Sequence, residues 1–221
     1  MAVFLFGSLL YGALMQQDEM QTLTVSAAPG ATVVIDAGHG GEDGGAGDNG
    51  LQEKDINLDI ALRLRDMLTA AGCKVVMTRD SDISLGQGDT VRERKVDDLK
   101  RRTEIINSDS SNILVSIHQN KFEQSKYSGT QIFCSKNDPA SLQLGESIRR
   151  SVTGLLQNDN KRELKTDDGS VYILSHAAVP AVIVECGFLS NEQEAKLLAD
   201  EEYRSKMAFA IMCGILEYGS Q

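Results

Sequence analysis

The stretch VVIDAGHGGEDGG, residues 33–45, joins an apolar strand to a glycine-rich loop that carries a histidine, His39. Its β-branched start predicts a buried strand at about 32–36, and the glycines predict a loop over 38–50. Glycine lets such a backbone adopt positive φ and approach a metal closely. A phosphate-binding loop is the alternative, but it needs a helix directly after the glycines and often a lysine. Neither follows here, so the stretch favours a metal site.

Outward from this stretch, apolar strands alternate with amphipathic helices. The first helix is expected at about 54–71, because apolar residues recur at helical spacing and Gly72 ends it. Further strands are predicted at 74–78, 112–118, 129–135 and 179–185, further helices at 96–107, 141–156 and 201–218, and a capping box at Ser190–Gln193 predicts one more helix start. This alternation indicates an α/β fold: a single domain over 32–221 with a mainly parallel twisted sheet and helices on both faces.

The N-terminal residues 1–15, MAVFLFGSLLYGALM, are apolar and uncharged. They are too few for a free transmembrane helix but suit a signal-peptide core or part of an anchor, although a basic start and an A-x-A cleavage site are missing. A core helix of the domain is the alternative. Because a polar spacer follows, we expect 1–22 to be a signal or anchor segment with its spacer, and 23–31 a linker. Export to the cell envelope or the extracytoplasmic membrane face follows, with N-terminal membrane association as one option.

Composition narrows the function classes. The net charge of -10 argues against nucleic-acid binding, which requires a basic surface. The four cysteines, Cys73, Cys134, Cys186 and Cys213, are widely spaced and form no CxxC pair, which argues against a cysteine-based zinc site. We expect them to be small buried hydrophobes rather than a disulfide framework.

Polar groups stand where the predicted strands end. His39 follows the first strand, while His118 and Glu185 close two others. In an open α/β sheet these ends share one edge, at which ligands bind. Glu53, in the short loop before the first helix, can fold over the same edge. Two imidazoles and one carboxylate are a common three-ligand zinc set that leaves a fourth position open for chemistry, so we predict that His39, Glu53 and His118 bind the metal.

Glu185 closes a buried strand, where a carboxylate is costly unless it is paired or catalytic. We predict that it acts as general base and proton donor beside the metal. A structural ion pair with Arg102 is the alternative. Asp36 is expected either to orient a ligand histidine or to serve as a strand-end turn residue. His176 is expected to stand in solvent or to have a minor role.

Six segments, in order over residues 32–191, together resemble the zinc-dependent N-acetylmuramoyl-L-alanine amidases of the type 3 amidase family. These segments are IDAGHGGEDGGA, EKDINLDIALRLRDML, GCKVVMTRD, LKRRTEIIN, ILVSIHQN and PAVIVECGFLSN. The resemblance implies that His39, Glu53 and His118 bind Zn²⁺ and that Glu185 is the catalytic carboxylate. It also implies hydrolysis of the amide between the lactyl group of muramic acid and L-alanine of the stem peptide in peptidoglycan.

The match has one departure and two supporting positions. Gln119 stands where the family usually has a small residue after the ligand histidine, and we expect it to alter substrate contact. Arg102 and Asn107 match a pair of helix positions in the family and are expected to support the site structurally.

The chain resembles the spore-cortex branch of these amidases. It carries no wall-binding repeat, and no blocking insert separates Glu53 from His118. Enzymes of that branch strip peptides from muramic acid so that muramic-δ-lactam can form. We expect a chain without its own wall-binding module to depend on an activating or localising partner protein.

Three other classes are left open by the residues alone. One is a zinc peptidase or deacetylase that cuts another cell-wall bond, and the second is a non-catalytic wall-binding protein with a vestigial site. The third is a non-haem iron oxygenase, which also uses two histidines and a carboxylate, although a base such as Glu185 suits hydrolysis better.

Overall fold

A six-stranded sheet forms the centre of residues 31–220, which the computed structural model describes. Its strands are β1 (Thr32–Ala37), β4 (Lys74–Met77), β5 (Asn112–Asn120), β6 (Gln131–Cys134), β7 (Lys165–Thr166) and β8 (Ala181–Phe188), and a small hairpin pairs β2 (Gly47–Asp48) with β3 (Leu51–Gln52). The predicted signal or anchor segment, and the linker up to residue 30, lie outside the described residues. Within 31–220, none of the helices has the length and apolar character needed to cross a membrane.

The strand order is β4-β1-β5-β8-β6-β7, and the first four strands are parallel. β6 runs antiparallel to β8, and β7 runs parallel to β6. The helices are α1 (Glu53–Ala70), α2 (Val91–Ile106), α3 (Ala140–Leu155), α4 (Tyr172–His176), α5 (Glu192–Ala199) and α6 (Glu201–Gly219). This confirms the predicted α/β architecture with a mainly parallel sheet.

Alternation along β1 divides the core between the two faces of the sheet. Val33 and Ile35 pack with apolar residues of α1, α3 and α6, whereas Val34 packs with those of α2 and α4 on the other face. In α6, a Cβ on Gly214 would lie 2.4 Å from the Cα of Ile148. The absence of a side chain there lets α3 and α6 meet backbone to backbone.

Two helix starts differ from the predictions. The second helix begins at Val91 rather than at 96, because Thr90 and Glu93 form a capping box ahead of a polar first turn that shows no apolar period. A helix does start within the predicted Ser190–Gln193 segment, but the capping box expected there is wrong. Asn191 caps α5 by accepting hydrogen bonds from two backbone N–H groups, while the Ser190 hydroxyl accepts one from the backbone of a neighbouring loop.

The two strands that carry His118 and Glu185 run further than predicted. β5 continues to Asn120 and β8 to Phe188, and these two residues are paired across a register irregularity that follows His118. Glu53 is likewise the first residue of α1 rather than part of a loop. Pairing between strands extends β5 and β8, and no pattern within either strand reveals that pairing.

The four cysteines are free thiols. Cys134 and Cys186 are buried as predicted, while Cys73 and Cys213 are half-buried. Burial raises the pKa of Cys134 to about 12, so this thiol stays protonated and unreactive.

Candidate active site

His39, Glu53 and His118 converge at the carboxyl edge of the parallel strands. One ligand atom from each lies within 4.8 Å of the other two. The Glu53 carboxylate bridges the imidazoles, with Oε2 3.2 Å from His39 Nε2 and Oε1 2.8 Å from His118 Nδ1. The three residues therefore come together as predicted, although they are 14 and 65 positions apart in the sequence.

Glycines make room for this cluster. A Cβ on Gly38 would lie 2.2 Å from a ring carbon of His118, and a Cβ on Gly45 would lie 2.6 Å from Glu53 Oε2. His39 itself has a φ of 62°, a left-handed conformation that few non-glycine residues adopt. Such backbone strain persists where surrounding contacts impose it, commonly at functional sites.

Glu185 stands beside His118 on the neighbouring strand. The two residues are paired in the parallel register of β5 and β8, so their side chains leave the same face of the sheet. Glu185 Oε2 is buried and has no hydrogen-bond partner among the described residues. A carboxylate oxygen that lacks a protein partner in a buried position is suited to accept a proton from a bound reactant.

Burial raises the pKa of Glu185 to about 7, although the nearby His118 imidazole opposes this rise. The negative charge of Glu53 raises the pKa of Glu185 further. Glu185 is therefore held near the pKa at which a general base and acid works well at neutral pH. The two carboxylates of the site differ in this respect, because hydrogen bonds from both histidines outweigh burial at Glu53 and keep its pKa far below the usual range.

The donor set fits a divalent transition metal. Imidazole and carboxylate are standard zinc ligands, and a tetrahedral zinc with bonds near 2.0–2.1 Å needs donor atoms roughly 3.4 Å apart. The two Glu53 oxygens lie 3.2 Å from His39 Nε2 and 2.8 Å from His118 Nδ1, and one donor atom from each of the three residues lies within 4.8 Å of the other two. Glu53 ionised between two imidazoles also provides the negative charge that a cation requires.

Asp43 orients His39, a role that was not predicted from the sequence. Its Oδ2 lies 3.0 Å from His39 Nδ1, so the other ring nitrogen faces Glu53. A carboxylate behind a ligand imidazole fixes its ring and tautomer. The i, i+4 spacing of His39 and Asp43 is the only sequence signal for this contact, and it lies in a loop where spacing carries little weight.

Asp36 fills neither of its predicted roles. It is fully buried and accepts hydrogen bonds from Thr78, Ser116 and Arg102 at 2.6–2.7 Å, but none from a ligand histidine. Burial opposes its charge, but the Arg102 guanidinium, the charge of the nearby His118 imidazole and the hydrogen bonds from Ser116 and Thr78 lower its pKa to about 2. Asp36 therefore anchors the end of β1 as a buried anion.

Two buried arginines hold the backbone that carries His39. Arg102 donates to the carbonyls of Ala37 and His39, while Arg79 donates to those of Ala37 and Gly38. The support role predicted for Arg102 agrees with these contacts, and its alternative pairing with Glu185 is wrong because Arg102 pairs with Asp36. The role of Arg79 was missed, because a lone arginine after a strand carries no periodic signal.

Gln119 does not face the open site, so the substrate contact expected of it is wrong. Alternation along β5 turns it away from the side of His118 and Glu185, and its side chain is buried against Asn57 of α1. Its backbone N–H instead donates to Glu53 Oε1. Gln119 therefore helps to position the predicted ligand Glu53 through its backbone N–H.

Asn107 and His176 lie away from the metal cluster. Asn107 supports the loop after α4, donating to the carbonyl of His176 and accepting from the N–H of Ala178. The His176 ring stacks on Tyr172 at the surface, which agrees with the solvent position predicted for it.

A parallel α/β sheet with two imidazoles and two carboxylates at its carboxyl edge, one of them without a partner, has the arrangement of a metal-assisted hydrolase. The family model for N-acetylmuramoyl-L-alanine amidases of the Amidase_3 type matches residues 33–217, and the chain belongs to this family. It is therefore an amidase that hydrolyses peptidoglycan, which sets aside the peptidase, deacetylase, scaffold and oxygenase alternatives.

Individual relatives agree with this assignment. The chain is 36% identical over 195 residues to a germination-specific N-acetylmuramoyl-L-alanine amidase of Bacillus subtilis, covering 86% of this chain and 80% of that protein. It is similar to the solved structure of the CwlD amidase from Clostridioides difficile in complex with the GerS lipoprotein, at 44% identity and a TM-score of 0.82, covering 86% of this chain and 98% of that one. The amidase AmiC2 of Nostoc punctiforme is 30% identical with a TM-score of 0.74, at the same coverage of both chains.

Proposed function

We propose that this amidase cleaves the bond between the muramic acid lactyl group and L-alanine with a Zn²⁺ ion held by His39, Glu53 and His118, and with Glu185 as catalytic carboxylate. The observation that carries the proposal is the placement of Glu185 beside the cluster, in register with His118 and with Oε2 buried and unpartnered. Each group that amide hydrolysis needs then has a candidate at one sheet edge.

When bound, the ion would polarise the lactyl carbonyl and lower the pKa of the attacking water. His39, Glu53 and His118 would hold the ion in place, and Asp43 keeps the His39 ring oriented. Glu185 Oε2 takes the proton from the water as it attacks the carbonyl carbon. The same carboxyl then delivers that proton to the departing alanine nitrogen, which releases the stem peptide as a free amine.

The biological setting is proposed as the spore cortex, on the extracytoplasmic side of the membrane. Support comes from the relatives, since one is named germination-specific and another was solved in complex with a lipoprotein. By analogy with that complex, we propose that a partner protein activates or localises this chain. The predicted N-terminal segment at 1–22 would provide export or membrane association.

The first test pairs elemental analysis of the purified protein with digestion of purified peptidoglycan and mass spectrometry of the products. The expected result is about one zinc per chain and released peptides that begin at L-alanine. Zinc without released peptides from the isolated chain, but with release once a partner is added, would support the partner proposal. If the protein held no zinc and released no product even after metal was added, the proposed mechanism would be overturned.

Glu185→Gln tests the catalytic carboxylate itself. Because glutamine keeps the volume but cannot take the proton, turnover should fall about 10²–10⁴-fold while zinc content and fold are retained. Glu163→Gln is the control, since that exposed side chain makes no hydrogen bond or ion pair in the structure. Full turnover in Glu185→Gln would remove Glu185 from the mechanism.

A further inference from the structure

The guanidinium of Arg162 lies near the strand residues that carry the active site. His118, Glu185 and Gln131 are register partners on the adjacent strands β5, β8 and β6. Arg162, which lies three residues before β7, donates from Nη1 to Gln131 Oε1 at 3.4 Å. Neighbouring strands lie about 4.8 Å apart, so Gln131 stands roughly 10 Å from His118, and the Arg162 guanidinium lies beyond it.

The Arg162 side chain is held in position before any ligand arrives. Its Nε donates to the Ser128 carbonyl at 2.7 Å. The guanidinium carbon lies 4.6 Å from the ring centroid of Phe188 and 5.9 Å from that of Tyr127. These contacts limit its rotamer freedom, so a ligand that binds the guanidinium loses less conformational entropy.

Arg162 also has no carboxylate partner among residues 31–220. The chain is acidic, and several arginines pair with a carboxylate, as Arg63 does with Asp59, Arg101 with Asp97 and Arg149 with Glu146. The buried Arg79 also lacks such a partner, but its donors are taken up by backbone carbonyls. Among the described residues the Arg162 nitrogens donate hydrogen bonds only to the uncharged oxygens of Ser128 and Gln131, although the Arg162 charge also acts to lower the pKa of the nearby Glu194. Its remaining N–H donors are therefore available to an anion.

The direction of the reaction places the leaving peptide on this side. Glu185 delivers the proton to the alanine nitrogen in the proposed mechanism, so the peptide departs next to Glu185, on the side away from His118 where Gln131 and Arg162 lie. Each residue of an extended peptide spans about 3.3–3.6 Å. Gln131 lies one strand spacing from Glu185 and the Arg162 guanidinium lies beyond Gln131, so the guanidinium meets a residue of the stem peptide that follows the L-alanine.

We propose that Arg162 binds a carboxylate of the stem peptide and so sets the specificity of the enzyme for acidic peptides. A guanidinium matches a carboxylate with two parallel N–H···O bonds, which fixes direction as well as charge. The inference rests on the proposed function of the site. A purely structural role for Arg162, tying Ser128 to Gln131, is the competing explanation.

The test compares two soluble muramoyl peptides that differ only in whether the stem-peptide carboxylates are free or converted to carboxamides. The wild-type enzyme should prefer the free carboxylates by about 10- to 100-fold in kcat/KM, mostly through KM, as expected for a hydrogen bond between charged groups. Arg162→Gln should lose this preference by becoming slower on the acidic substrate alone. Lys161→Gln removes the same charge from the adjacent exposed position and should keep the preference.

Two outcomes would overturn the proposal. One is an equal loss on both substrates in Arg162→Gln, which would indicate a structural role. The other is a wild-type enzyme that does not distinguish the two substrates, a result that needs no folded variant. Binding of both peptides to Glu185→Gln by calorimetry gives the same comparison without turnover, so failure of the proposed chemistry and failure of the Arg162 inference are separated.

Discussion

Replacing Arg102 with alanine should destabilise the protein strongly, while the same change at the neighbouring Arg101 should not. Both arginines lie on α2 and pair with an aspartate four residues earlier, at 2.6 and 2.7 Å. Arg102 is 2% exposed and also bonds the fully buried Asp36, whereas Arg101 is 43% exposed and bonds only Asp97. The two variants therefore remove the same i, i+4 ion pair, but only Arg102→Ala also removes buried contacts.

The expected loss for Arg102→Ala is about 3–5 kcal/mol in the free energy of unfolding, because a buried charge is left without its partner. The Arg102 guanidinium is the strongest of the influences that lower the pKa of the buried Asp36 to about 2, so its removal should raise that pKa. The carbonyls of Ala37 and His39 also lose a donor. Arg101→Ala should cost at most about 1 kcal/mol, as exposed ion pairs do.

Urea denaturation followed by far-ultraviolet circular dichroism at pH 7 measures both losses, with a chelator present so that metal binding does not contribute. The Asp36 contribution has a definite pH dependence. Its folded pKa lies below the ordinary value, so the stabilisation is complete above about pH 4 and is lost as the pH falls towards 2. The difference between wild type and Arg102→Ala should therefore narrow in that window. Equal losses for the two variants at pH 7 would refute the reasoning.

Two further substitutions probe residues that lie against the ligands without replacing a ligand. Gly38→Ala should displace the His118 ring, because the new Cβ would lie 2.2 Å from a ring carbon. The zinc content measured by elemental analysis should then fall well below one per chain. Gly154→Ala is the control, since it has open space around its Cβ and should leave the zinc content unchanged. Asp43→Asn should weaken zinc affinity about 10- to 100-fold by loosening the His39 ring, measured by competition with a chromogenic chelator, and an unaltered affinity would show that the loop backbone alone orients that ring.

Much of the site follows from local pattern in the sequence. The apolar run before His39 and the run that contains His118 predict strands, and parallel strands of one sheet share a carboxyl edge. That rule alone brings the two histidines and Glu185 together without any knowledge of packing. The six motif segments then narrow the chemistry to amide hydrolysis.

Other features depend on contacts between distant parts of the chain, which no local pattern encodes. The capping of α5 by Asn191 rather than Ser190 depends on where β8 ends, and that is set by its pairing with β5. The orientation of Gln119 towards α1 depends on the register of β5 in the sheet. In both cases a shift of one residue changes the role of a side chain, and tertiary pairing selects the register.

The sequence by itself determined the fold class and the candidate ligands, because these depend on periodicity and residue type along the chain, and the resemblance of its six segments indicated the family. Only the tertiary structure decided which groups support them: Asp43 behind His39, Arg79 and Arg102 on the loop carbonyls, and the lone oxygen of Glu185. Hydrogen-bond partners are chosen by proximity in space. Burial then sets how strongly each charge interacts, because it removes the water that would otherwise solvate it.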